Sequence, residues 1–288
     1  MKNYEVINVS IDPDEYDKIV NKAFRYALIS VGFTYNRLEK KDIISRIENI
    51  IKGKIAEGLI EAYSKQHHLG LDFQSCATPF WMPDLRDFLW LGGEWDIKNN
   101  FIQCTESELQ NFNFTLLPAL IPNKSDPDQW SKRNELLHTE SRYNAYLFSF
   151  IGLRPEKKNF FNIQLTPEHF DFLLQTCMKY KGLRWGSMPF GEREFYAQLA
   201  SYGDFQIELI YRPKLYITAC ANARYWPLFE NTSVHDCVAY KDFGMKNWYV
   251  EDNNILKFLN GKLVTKIRNK TCPIALLPSF DSVSNRPK

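Results

Sequence analysis

Asp87-Phe88-Leu89-Trp90-Leu91-Gly92-Gly93-Glu94-Trp95-Asp96-Ile97-Lys98 is the stretch on which the fold turns. Two short apolar runs flank a Gly-Gly pair, and runs joined by two conformationally permissive residues form a β-hairpin. With Gly92-Gly93 as the two-residue turn, Leu91 pairs with Glu94, Leu89 with Asp96 and Asp87 with Lys98. Cross-strand partners share a face, and side chains alternate with period two. Asp87, Glu94, Asp96 and Lys98 therefore project to one side, and Phe88, Trp90, Trp95 and Ile97 to the other. Asp84 falls on the opposite parity unless a bulge intervenes; it is the alternative first acid, after Asp87.

Upstream of the hairpin, Asp12-Pro13-Asp14-Glu15 combines a cap, a proline at the first helical position and first-turn acids, so a helix runs to about Val31. A second helix spans about Lys41 to Gln66, with Ile44, Ile51, Ile55, Leu59 and Tyr63 at helical spacing and Gly70 as its C-terminal cap. Leu71 to Trp81, rich in Phe, Thr and Cys, reads as extended. Downstream, Asp126-Pro127-Asp128 opens a helix through Leu136-Leu137, and Tyr146 to Ile151 reads as a buried strand. From residue 41 to 151 the order is helix, three strands, helix, strand.

Arg154-Pro155-Glu156-Lys157-Lys158-Asn159 marks a boundary. Beyond it, helices are expected from Thr166-Pro167-Glu168 to about Tyr180 and over Glu192 to Tyr202, with strands from Phe205 to Cys220. The chain thus divides into a helical arm (1–40), an α/β core (41–153) and a mixed α/β region (154–288) rich in Trp, Tyr, Phe and Arg.

The 288 residues are 44% hydrophobic and 15% aromatic, enough for a real core and against disorder. A net charge of +2 does not advertise a nucleic-acid binder, although a local basic cleft still binds phosphates at such a balance. Six cysteines without a CxxC pair speak against a zinc site or a disulfide scaffold. A charged N-terminal stretch and the lack of a long apolar run point to a reducing cytoplasm and no membrane. The adjacent His67-His68 project in different directions and suit a helix end better than a metal. With no P-loop, no GxGxxG after a strand and no nucleophile elbow, no nucleotide cofactor is expected.

Hydrolysing a phosphodiester requires the phosphate charge to be offset and a water to be activated and held in line. Two acids and a lysine on one patch supply that, and the hairpin gathers Asp87, Asp96 and Lys98. A solvated charged face with a cross-strand Asp87–Lys98 ion pair gives the same pattern. Glu39-Lys40-Lys41 and Glu156-Lys157-Lys158 repeat the acid-x-Lys spacing, but in surface-like contexts. Further along, Lys262, Lys266 and Arg268 alternate with apolar residues as a strand with one cationic face would; they are candidate phosphate contacts or the lysine guard of an ordinary edge strand.

Together with Gly53…Glu57 on the second helix, these parts resemble the PD-(D/E)xK nuclease superfamily, which includes many restriction endonucleases. The likeness covers about residues 41 to 151 and lies in the ordered set of elements. It implies a restriction-endonuclease-like core: a central mixed sheet flanked by helices. It implies that Asp87 and Asp96 hold Mg²⁺, that Lys98 acts on the attacking water and that Glu57 assists. The implied activity is a site-specific cut in double-stranded DNA, of type II restriction kind, by a homodimer. A phage, repair or transposition nuclease, and a non-catalytic DNA- or protein-binding protein, are the alternatives. Two departures stand: the literal Pro-Asp dipeptide is Pro83-Asp84, and the interval from Asp87 to Asp96 is short.

Overall fold

The computed structural model describes residues 1–34, 42–81, 86–122, 144–157, 159–180, 188–231, 248–251, 255–259, 262–265 and 269–285. Its helices are α1 (Pro13–Thr34), α2 (Ile43–Gln66), α3 (Glu106–Gln110), α4 (Pro167–Lys179), α5 (Glu192–Ala200) and α6 (Phe280–Ser284). The strands of the main sheet are β1 (Ile7–Val9), β2 (Phe88–Trp90), β3 (Gly93–Gln103), β5 (Asn144–Leu153) and β8 (Leu215–Asn222), with β4 (Pro118–Pro122), β6 (Phe161–Gln164) and β7 (Gln206–Leu209) outside it. The C-terminal strands are β9 (Glu230–Asn231), β10 (Trp248–Glu251), β11 (Ile255–Phe258), β12 (Leu263–Thr265) and β13 (Asn269–Pro273).

Asp12 starts α1 by accepting from the Asp14 and Glu15 nitrogens at 2.9 and 3.3 Å, with Pro13 where no N–H is needed. Asp42 caps α2 through the Ile44 nitrogen at 3.0 Å. Along α2, Ile43, Ile47, Ile51, Ile55 and Leu59 recur every fourth residue and are buried, packed with Val20, Phe24, Ala27 and Leu28 of α1. The helix closes with Leu69 N donating to Ser64 O at 3.0 Å and His68 N to Lys65 O at 3.3 Å. The left-handed residue of this closure is His68 (φ 52°), two positions before the expected Gly70 (φ 74°).

Leu71 to Trp81 does not form the expected strand. Asp72 makes a single bridge to Leu89, N to O at 2.9 and 3.0 Å in the two directions. Its carboxylate then accepts from the Ser75 nitrogen and hydroxyl at 3.0 and 2.6 Å, which bends the chain into a turn instead of extending it. Of the three strands expected between residues 71 and 98, the two of the hairpin form as β2 and β3; α3 and β4 then precede β5. The helix expected after Asp126 lies outside the described residues, whereas the strand expected at 146–151 is present as part of β5.

The main sheet has the order β1-β8-β5-β3-β2. β2 and β3, β5 and β8, and β8 and β1 pair antiparallel, while β3 and β5 are parallel. Being central, β5 is nearly all apolar from Ala145 to Ile151. The one polar member, Ser149, donates to Asn99 Oδ1 at 3.0 Å. Trp95, Ile97, Ala145, Leu147 and Ile151 face the core shared with α1 and α2. Tyr146, Phe148 and Phe150 face a second cluster with Leu117, Ala119, Ile121 and Cys272, contributed around β4 and β13. β1 comes from segment 1–40 and β8 from 154–288, so all three segments of the sequence share this one mixed α/β sheet. Smaller sheets, β10-β11-β12, β4-β13-β9 and β6-β7, complete the described fold.

Candidate active site

The hairpin forms, in a different register. Leu91 and Gly92 are the turn residues, both left-handed (φ 51° and 71°), as a type I′ turn requires at its two central positions. Gly93 is drawn into β3 opposite Trp90, Leu89 pairs with Glu94 and Phe88 with Trp95. The expected pairs Leu91–Glu94, Leu89–Asp96 and Asp87–Lys98 are thereby replaced. The physical reason is indole hydrogen bonding. Trp95 Nε1 donates to Trp90 O at 2.8 Å, and Trp90 Nε1 to Leu69 O at 3.1 Å. A buried N–H left unbonded costs about 1–3 kcal/mol, so two such bonds outweigh the roughly 1–2 kcal/mol of a left-handed leucine. Partners slide by two residues, so alternation along β3 is kept: Trp95 is buried toward the helices, and Asp96 lies beside Tyr146 on the other face.

Around Ile97 the charged groups gather. Lys98 Nζ is 2.5 Å from Asp96 Oδ2, both side chains about four-fifths buried (19% and 21% exposed). The lysine ammonium also lies 5.6 Å from the centre of the Tyr146 ring. Burial, and secondarily the Asp96 charge, pushes the Tyr146 phenol well above its ordinary range. Asp87 stands just before β2, where its N–H donates to Trp95 O at 2.9 Å. Its Oδ2 accepts from the Ile97 nitrogen at 2.5 Å, taking the place of a ladder carbonyl. Because that nitrogen is bonded to the Asp96 carbonyl carbon, Asp87 Oδ2 lies within about 5 Å of the Asp96 Cα.

Glu57 comes from the other side. It sits on α2 with Lys54 Nζ 2.5 Å from its carboxylate, and it lines a cleft of about 400 Å³ with Asp87 and Arg86. The cleft lies among α1, α2 and the loop before β2. Asp87 lines this cleft and accepts from the Ile97 main chain, whereas Asp96 and Lys98 do not line it and lie on the Tyr146 face of β3. Asp84, Lys266 and Arg268 lie outside the described residues. Lys262 is held by Glu108 of α3, and this bond raises the lysine's pKa. Sequence reasoning did not find the cleft or Tyr146 as the neighbour of Asp96, since both depend on pairings between distant segments.

Among the described residues, no three His, Cys, Asp or Glu side chains form a ready-made metal cage. Magnesium does not require one: it is held by one or two carboxylates and keeps its waters. Asp87 offers one carboxylate, with Oδ2 taken by the Ile97 N–H, and Asp96 a second, with Oδ2 taken by Lys98. Comparison with known proteins returns no matching family model, no matching curated protein and no matching solved structure. No helix among the described residues is long and apolar enough to cross a membrane.

Proposed function

We propose that the chain is a Mg²⁺-dependent endonuclease acting on double-stranded DNA, restriction-type and homodimeric. The observation that carries this reading is the bond from Ile97 N to Asp87 Oδ2, which brings the first acid to the middle residue of Asp96-Ile97-Lys98. Asp87 and Asp96 would hold the cation, which when bound supplies charge to offset the phosphate and to acidify a water. Lys98, held by Asp96, would orient that water and stabilise charge developing on the phosphate. Glu57 reaches the same region only through the cleft it shares with Asp87. Two copies about a two-fold axis would present one hairpin to each strand of the duplex.

A plasmid and phage DNA digest in Mg²⁺, with EDTA as control, tests the proposal. Discrete bands are expected from the native protein. Asp96→Asn and Lys98→Ala should each lower the rate by at least about 100-fold, the usual scale for losing an acid–base group, with the circular dichroism spectrum unchanged. DNA left intact across divalent metals and salts would sink it. One observation favours a second reading, a non-catalytic DNA- or protein-binding protein: the Lys98 ammonium is already matched by Asp96 on its own strand. Binding without metal-dependent cleavage would select that reading.

A further inference from the structure

The cleft among α1, α2 and the loop before β2 opens onto the edge of the main core, with Ile19 and Ala23 buried and Tyr26, Ala62 and Phe73 partly exposed. Ile19, Lys22, Ala23 and Tyr26 follow at intervals of three and four, so they share one face of α1 and meet Ala62 of α2 and Phe73 of the loop. The floor is therefore apolar; of the two aromatic side chains, Tyr26 carries the Lys54 ammonium 5.0 Å from its ring centre. Phe73 is fixed by its contact with Phe88, ring centres 5.1 Å apart. Four of the lining cations already face carboxylates. Lys18 meets Glu15 at 3.8 Å, Lys54 meets Glu57 at 2.5 Å, Lys65 meets Glu61 at 2.7 Å, and Arg86 meets Glu94. Among the described lining residues, Lys22 is the cation without such a partner, and it is exposed at the rim.

We propose that this cleft receives one unpaired nucleotide of a nucleic-acid strand, its base on Phe73 and its phosphate at Lys22. The choice of ligand rests on the nuclease reading. A hollow of about 400 Å³ has the size of a small-molecule site. It admits a single nucleotide and excludes a paired duplex. An aromatic face stacks any base, and a lone lysine serves a single phosphate as a point charge. Asp87 and Glu57 lie in the same hollow, so an unpaired nucleotide there is delivered next to the hairpin. The proposal thus assigns the protein a preference for frayed, flipped or single-stranded substrate over intact duplex.

Fluorescence anisotropy in EDTA tests this on the full chain, with labelled oligo(dT) of about ten nucleotides, within the usual span of single-strand sites, and a blunt duplex of equal length. The single strand should bind at least about tenfold more tightly than the duplex. Lys22→Glu, a change at an exposed position, should weaken it by about tenfold and lower the slope of log affinity against log salt by about 0.7, one phosphate contact's share. Ala62→Phe, which fills the hollow from the floor, should abolish it, with thermal melts confirming both folds. Equal affinity for the duplex, no binding, or unchanged binding in both folded variants would overturn the proposal. Binding is read without metal, so strand preference with intact plasmid in Mg²⁺ overturns the nuclease reading alone. Cleavage without strand preference overturns only the cleft assignment.

Discussion

Leu91 carries the cost of the turn: it holds φ 51° with 61% of its surface exposed, so strain comes without burial. Asn tolerates the left-handed region, and Asn-Gly is the preferred pair for a type I′ turn. Leu91→Asn should therefore stabilise the protein by about 1 kcal/mol, seen as a higher urea midpoint at unchanged slope. A lower midpoint would show that the leucine side chain matters more than its backbone. Glu108 gives the residue scale a pH dependence. Its carboxyl is drawn down to about 2 by the hydrogen bond from Lys262, then by those from the Thr105 nitrogen and hydroxyl. A depressed carboxyl stabilises the fold fully above its ordinary value of 4.5, and that contribution disappears as the pH falls toward about 2. Wild type should thus exceed Glu108→Gln in stability at pH 7, with the gap closing on acidification through that window. A gap that stays constant in urea melts from neutral pH down to about 2 would exclude the linkage.

Within single elements, what was legible in the sequence was local. The start of α1, the isoleucine stripe of α2 and the existence of the hairpin follow from caps, spacing and turn residues within a few positions. The hairpin register did not, because it depends on Trp90 Nε1 finding Leu69 O, a partner 21 residues away. The supposed strand at Leu71 failed for a related reason: composition favoured extension, but the Asp72–Ser75 side-chain bonds favoured a turn. The two glycines of α2 show how far one element's behaviour depends on its neighbour. At Gly53 an added methyl meets nothing within 4 Å, so Gly53→Ala should gain the helix propensity of about 0.8–1 kcal/mol. At Gly58 the same methyl would stand 2.6 Å from Ile19 Cγ2, a buried and rotamer-stiff side chain. Overpacking costs about 1–3 kcal/mol, more than the propensity gain, so Gly58→Ala should lower the melting temperature while Gly53→Ala raises it. The reverse order would mean that α1 gives way at this contact.

At the scale of the whole molecule, the sequence boundary near Arg154 and the sheet disagree about what makes a unit. Composition sees a charged loop there, but it cannot see that β8, some sixty residues beyond Leu153, returns to pair with β5. Removing everything after residue 153 would strip β5 of its antiparallel neighbour and leave a row of unpaired N–H and C=O groups. On that strand Leu147 and Ile151 keep α1 and α2, but Phe148 and Phe150, at 0–1% exposure in the intact chain, lose the cover that Cys272 and its neighbours give. Uncovering a large apolar side chain costs about 1.5–3 kcal/mol, so these two, added to the lost strand pairing, take up a large part of the roughly 5–15 kcal/mol by which a domain is stable. A 1–153 fragment should therefore show no cooperative urea transition and should aggregate through the bare edge. Supplying residues 154–288 as a second chain should restore a sigmoidal transition, because β8 pairs with β5 without needing the intervening peptide bond. If 1–153 instead melts cooperatively on its own, the hairpin and its acids belong to an independent nuclease-sized core, and β8 is an addition to it.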